Sequence, residues 1–161
     1  MKLEIGEIDS PLGELRFARS SGRVVGLAFA DHWPDVERAL RRRLAPVEAC
    51  AARSAAGLAE HLRAYFDGDL GALDAIEIAL YGTPFQVRVW TALREVRAGT
   101  TTSYGALARA VDSASATRAV DGRVLAPLGV IPGLRWNVLE REQRLVLSFD
   151  PTSRPMSNFP F

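Results

Sequence analysis

Gly82-Thr83-Pro84-Phe85-Gln86 opens a stretch that continues through Ser103-Tyr104-Gly105 to Arg118-Ala119-Val120. Thr83 is suited to an N-cap, and Pro84 falls at the first helical position, where a missing N–H does no harm. Gln86 stands at N3, the position that closes a capping box. A helix of about four turns is expected from this start. Phe85, Val89, Leu93 and Val96 recur on one apolar stripe flanked by Trp90, leaving Arg88, Glu95 and Arg97 in water. After the polar link Ala98-Gly99-Thr100-Thr101-Thr102, Ser103 can cap a short helix over residues 104–111. Asp112 then turns the chain, and Ser113 caps a second helix over residues 114–125, with Thr117, Val120 and Val124 facing inward. Two short helices joined by a tight turn have the outline of a helix-turn-helix.

Upstream, the pattern changes from helical spacing to short β runs. Residues 3–8 alternate in part, Ser10-Pro11-Leu12-Gly13 is turn chemistry, and residues 15–18 resume a strand. Ser20-Ser21-Gly22 turns again before the apolar run of residues 24–29. This predicts a three-stranded antiparallel meander. Val36, Leu40 and Leu44 predict a helix over residues 34–44. Leu58, Leu62, Tyr65 and Phe66 predict another over residues 54–66, ended by Asp67-Gly68. A polar connection follows over residues 67–75, then an extended segment at Ile76-Glu77-Ile78-Ala79-Leu80. The expected fold is therefore α+β. A small antiparallel sheet with helices occupies residues 1–75, a mainly helical domain with the helix-turn-helix residues 76–148, and an irregular tail rich in Pro and Ser residues 149–161.

Composition narrows the classes of function. The chain has 161 residues, 48% apolar and 24% charged, enough for one compact unit or two small subdomains. No apolar run approaches the ~20 residues that cross a bilayer, and Met1-Lys2-Leu3-Glu4-Ile5 lacks a signal-peptide pattern. A cytoplasmic monomer without membrane contact is expected. Cys50 is the single cysteine, so no internal disulfide or Cys-rich zinc site can form, and no metal or other cofactor is expected. His32 and His61 lack metal-ligand spacing. Residues 1–80 hold ten basic and thirteen acidic side chains, a balance of −3, whereas residues 82–145 hold nine and five, a balance of +4. The arginine run Arg41-Arg42-Arg43 lies in the acidic part near Asp35 and Glu37 and reads as an exposed helix face. The positive balance of the second half suits a polyanion but is modest.

Gly-Thr-Pro-Phe-Gln, Val-Trp, Ser-Tyr-Gly and Arg-Ala-Val, in that order, resemble the O6-alkylguanine-DNA alkyltransferase family. Asp9-Ser10-Pro11-Leu12-Gly13, Gly26-Leu27-Ala28-Phe29 and residues 62–68 extend the resemblance over most of the chain. It implies a helix in the minor groove of duplex DNA. Arg118, followed by Ala119, would enter the base stack where a nucleotide has left, Tyr104 would crowd the adjacent phosphate, and Gln86 would lie near the backbone. Extruding a base costs a few kcal/mol, and a planar cation that fills the gap offsets part of it.

The family's reactive motif, Pro-Cys-His-Arg-Val, appears as Pro132-Gly133-Leu134-Arg135-Trp136. Gly133 and Leu134 occupy the cysteine and histidine positions: glycine has nothing to alkylate, and leucine cannot take a proton from a thiol. The family's Asn-Pro step is Ala126-Pro127, Asp121 replaces a glycine after Arg-Ala-Val, and the Arg118 to Gly133 separation is two residues shorter than in the family. The glycine-rich pocket wall and closing Glu have no counterpart in residues 137–145. Cys50 lies among alanines and reads as a small buried apolar residue rather than a substitute nucleophile. A subgroup of alkyltransferase-like proteins also lacks the cysteine and carries Trp there, whereas Trp136 stands at the valine position. The expected function is a non-catalytic DNA-binding protein related to repair, with a repair protein as a further partner. The alternative is a protein-interaction scaffold that no longer binds DNA.

Overall fold

The computed structural model describes residues 1–96, 101–111, 137–139 and 144–146. Met1–Tyr81 forms one compact unit, and the described residues from Gly82 onward belong to a second.

In the first unit, β1 (Lys2–Ile8), β2 (Leu15–Ser20) and β3 (Arg23–Phe29) form the expected antiparallel meander. Ser21 and Gly22 take positive φ values of 51° and 81°, which matches the hairpin twist between β2 and β3. The sheet is not purely antiparallel, however. A fourth strand, β4 (Glu48–Ala51), pairs parallel to β1, giving the order β3-β2-β1-β4. Ala49, Cys50 and Ala51 carry little strand propensity. Their pairing comes from the free edge of β1, where the Glu48 N–H donates to Met1 O at 3.0 Å and the Ala52 N–H to Ile5 O at 2.8 Å.

The pleat sorts side chains onto two faces. Leu3, Ala18 and Val25 cluster with Trp33, Leu40 and Leu44 of α1 (Trp33–Leu44), which begins one residue before its predicted start. On the opposite face, Leu15 and Phe17 are fully buried. Gly6 pairs with Phe17 in register, and a Cβ on Gly6 would lie 2.6 Å from Phe17 Cζ. The glycine therefore leaves room for the ring.

Helix α2 (Ala56–Phe66) starts two residues later than its periodicity predicts, because the Ser54 hydroxyl accepts the Ala56 N–H at 3.2 Å from outside the helix. Leu58, Leu62 and Tyr65 are buried, and Gly68, at φ 110°, lets the chain leave. The expected polar connection contains a 3-10 helix, Ala72–Ala75, anchored by the buried Ala72 and Leu73. Ile78 then forms a parallel bridge to Val24, so the extended segment runs beside β3. Arg41-Arg42-Arg43 lies in the last turn of α1, where cations suit the helix dipole, and Arg41 pairs with Glu37 at 2.7 Å. The Arg43 guanidinium donates to Tyr81 O at 3.0 Å; partial burial, then the nearby Arg42 charge, lowers its pKa.

The second unit contains α3 (Pro84–Arg94), α4 (Tyr104–Ala110) and a three-stranded antiparallel sheet. Its strands are β5 (Thr101–Ser103), β6 (Asn137–Leu139) and β7 (Arg144–Val146), in the order β5-β7-β6. This sheet departs from the sequence reading, which made Thr101 and Thr102 a link and left residues 137–145 unassigned. Threonines favour strands, but β7 lies far along the chain from β5, so no local pattern announces the pairing. The helix expected over residues 114–125, and with it the second half of the helix-turn-helix, lies outside the described residues, as does the tail at 149–161.

Candidate nucleic-acid interface

The second unit begins with the capping box that its sequence specifies. The Thr83 hydroxyl accepts the Gln86 N–H at 3.2 Å, and the Gln86 side-chain oxygen accepts the Thr83 N–H at 3.0 Å. Two otherwise orphaned donors are satisfied, and the direction of α3 is set from its first residue. Just before it, Gly82 lies against the Trp90 indole, where a Cβ would come within 2.6 Å of ring carbons. Nothing in the Gly-Thr-Pro pattern signals this approach; it follows from the Trp90 indole reaching back to the start of the helix. Thr83→Ala is expected to destabilise the second unit by about 1 kcal/mol, since it removes the hydroxyl that accepts the Gln86 N–H while leaving the backbone N–H that donates to Gln86. A thermal melt or urea titration against wild type would measure it, and an unchanged midpoint would rule the box out as a contributor.

Helix α3 runs for three turns rather than about four, ending where the Val96 N–H closes a tight turn on Leu93 O at 3.2 Å. Val89, Trp90 and Leu93 are buried, Phe85 and Val96 are half-buried, and Arg88 and Glu95 are exposed, as the stripe predicts. Helix α3 packs against α4, whose Leu107 and Ala108 are buried together with the following Val111. The Arg88 guanidinium lies 5.9 Å from the centroid of the Phe85 ring.

Of the site residues expected from sequence, Gln86 is half-buried within the capping box and Tyr104 is the first residue of α4, immediately after Ser103 at the end of β5. Arg118, Ala119 and the whole of Pro132-Gly133-Leu134-Arg135-Trp136 lie outside the described residues. The described geometry therefore holds the entrance to the helix pair but not the arginine or the remodelled loop. Cys50 is half-buried on the edge strand β4 of the other unit, which corrects the expectation of a buried apolar residue. An edge strand covers its side chains on fewer sides than a central one does. No cluster of three potential metal ligands occurs among the described residues.

Four arginines of the first unit, Arg16, Arg23, Arg38 and Arg41, each pair with a carboxylate. In the second, Arg88, Arg94 and Arg109 are exposed, and none has an ion pair among the described residues.

Comparison with known proteins adds the family. Residues 84–145 match the family model described as 6-O-methylguanine DNA methyltransferase, DNA binding domain. A methylated-DNA–protein-cysteine methyltransferase of Mycolicibacterium paratuberculosis is 36% identical over 118 residues, covering 73% of this chain and 67% of that protein. The chain belongs to the methylated-DNA–protein-cysteine methyltransferase family. Curated relatives are covered over 43% to 67% of their length among the first matches. A point variant of Mycobacterium tuberculosis OGT superposes with a TM-score of 0.59 at 30% identity, covering 77% of this chain and 70% of that one. The same organism's OGT in complex with DNA matches with a TM-score of 0.54 at 28% identity, over 82% and 72% of the two chains. The α+β architecture is thus the family's. The matched DNA-binding domain spans Gln86, Tyr104, Arg118, Ala119 and the segment from Pro132 to Trp136.

Proposed function

We propose that this chain is a DNA-binding member of the family that does not transfer alkyl groups. The observation that supports it is in the sequence: Pro132-Gly133-Leu134-Arg135-Trp136, read against the family's Pro-Cys-His-Arg-Val, has Gly133 and Leu134 where a cysteine and a histidine would stand. Alkyl acceptance needs a thiolate and a group that activates it, and neither position offers one. Binding needs less. A planar cation to fill the stack and an aromatic at the phosphate are present as Arg118 and Tyr104, and the described arginines of the second unit are free of carboxylate partners among the described residues. The reading is of minor-groove binding to duplex DNA, in which Arg118 and Ala119 enter the groove while Tyr104 and Gln86 meet the backbone. Such a protein would mark DNA for a repair partner rather than mend it.

Arg118→Ala is expected to weaken duplex binding by about 1–3 kcal/mol, roughly tenfold to a hundredfold. Fluorescence anisotropy at stated salt, run with plain and O6-methylguanine duplexes side by side, tests this. Equal affinities of wild type and variant would remove Arg118 from the interface, and a preference for the methylated duplex would make the protein a lesion sensor. Asp121 favours a second reading, a scaffold that has left DNA, because it puts a carboxylate where phosphates approach in the family's arrangement. Absence of wild-type binding at low salt would select that reading.

A further inference from the structure

We infer that Arg88, on the outer face of α3 and apart from the helix pair, is a phosphate-contacting residue for duplex DNA. The inference rests on the DNA-binding reading above and extends the interface to an element that reading does not use beyond Gln86.

Three observations converge on Arg88. It is exposed on the face of α3 that it shares with Pro84 and Thr91, away from the buried Val89, Trp90 and Leu93. It has no ion pair among the described residues; α3 itself contains no carboxylate, and Glu95, its C-cap, stands about two turns further on. Finally, its guanidinium is held near the half-buried Phe85 ring, with 5.9 Å between the guanidinium carbon and the ring centroid.

The third observation separates Arg88 from an ordinary surface arginine. An arginine free in water loses rotamer freedom when it binds, and that loss offsets much of a surface ion pair. Contact with an aromatic ring uses the π surface of the guanidinium and leaves the N–H groups at its edge available, in the fork that fits phosphate oxygens. Arg88 is therefore partly ordered before any partner arrives, with its donors unspent. It also lies half a turn past Gln86, and the capping box fixes the direction of that turn. Arg38 of the first unit contrasts with it: its guanidinium is 2.6 Å from Asp35, so its charge is already satisfied.

A phosphate contact has a signature that a packing role lacks. Each neutralised phosphate releases counterions, so the logarithm of the binding constant falls with the logarithm of salt concentration by about 0.9 per contact on duplex DNA. With the full chain and a plain duplex, Arg88→Ala is expected to reduce that slope by roughly 0.9 and to weaken low-salt binding about three- to tenfold. Arg88→Lys should keep the slope, and Arg38→Ala should leave both slope and affinity at wild-type values. An unchanged slope in Arg88→Ala, beside wild-type protein that binds, would overturn the assignment of Arg88 while leaving the DNA reading intact. Wild-type protein that fails to bind at low salt would overturn both.

Discussion

Phe17→Ala is expected to destabilise the first unit by about 3–5 kcal/mol, the range for truncating a fully buried aromatic side chain. The ring is fully buried in the middle of the central strand β2. Its cross-strand partner is Gly6, whose missing side chain supplies the space the ring occupies, and Ala52 Cβ lies 3.1 Å from the point where a Gly6 Cβ would be. Removing the ring leaves a void bordered by a glycine and an alanine, neither of which can expand into it. The Arg19 guanidinium, 5.0 Å from the ring centroid, also loses its aromatic neighbour. For a domain whose total stability is of order 5–15 kcal/mol, that is a large share. Gly6→Ala in wild type should also destabilise, because the new methyl meets the ring edge. Combined with Phe17→Ala, it should partly refill the void, so the two changes are expected to couple with opposite sign. Urea midpoints of the four proteins measure the cycle; a loss below about 1 kcal/mol for Phe17→Ala would contradict this packing account.

The second large expected effect follows from the proposed non-catalytic reading. Incubated with O6-methylguanine duplex, the wild-type protein is expected to gain no methyl group by intact-mass measurement and to leave the lesion in the DNA. Cys50, the one thiol, lies on β4 in the first unit with no histidine near it in sequence and no metal cluster among the described residues. A thiol accepts an alkyl group readily only when a neighbouring base or positive charge activates it. Gly133→Cys alone should therefore remain inactive. On the proposed reading, Gly133→Cys combined with Leu134→His should recover little, because Ala126 offers no side-chain amide to support the new pair. Stoichiometric methylation of wild-type protein would disprove the non-catalytic reading outright, and full activity of the double variant would show that the surrounding changes are incidental.

Several elements were legible because their causes are local. The capping box needs only Thr83, Pro84 and Gln86 at fixed offsets, and the buried stripe of Val89 and Leu93 needs only helical spacing. The meander follows from short apolar runs separated by Ser-Pro-Leu-Gly and Ser-Ser-Gly turns. Pairings between distant segments were not legible. Residues 48–51 have alanine-rich chemistry that favours no strand, and they become β4 because β1 has an open edge. Thr101 and Thr102 become β5 because β7 returns alongside them.

For the candidate site, the sequence by itself determined which reactive atoms are present. Gly133 and Leu134 carry neither thiol nor imidazole in any fold, and Tyr104 and Arg118 supply an aromatic and a cation whatever the fold. Tertiary structure alone decided what depends on through-space neighbours: that Cys50 sits on a sheet edge, that Gly82 must lack a side chain because Trp90 lies against it, and that Arg88 stays near Phe85 rather than pairing with a carboxylate. The division has a physical basis. Covalent identity is set residue by residue, whereas burial, pairing and the availability of a charge depend on which other parts of the chain come within a few ångströms.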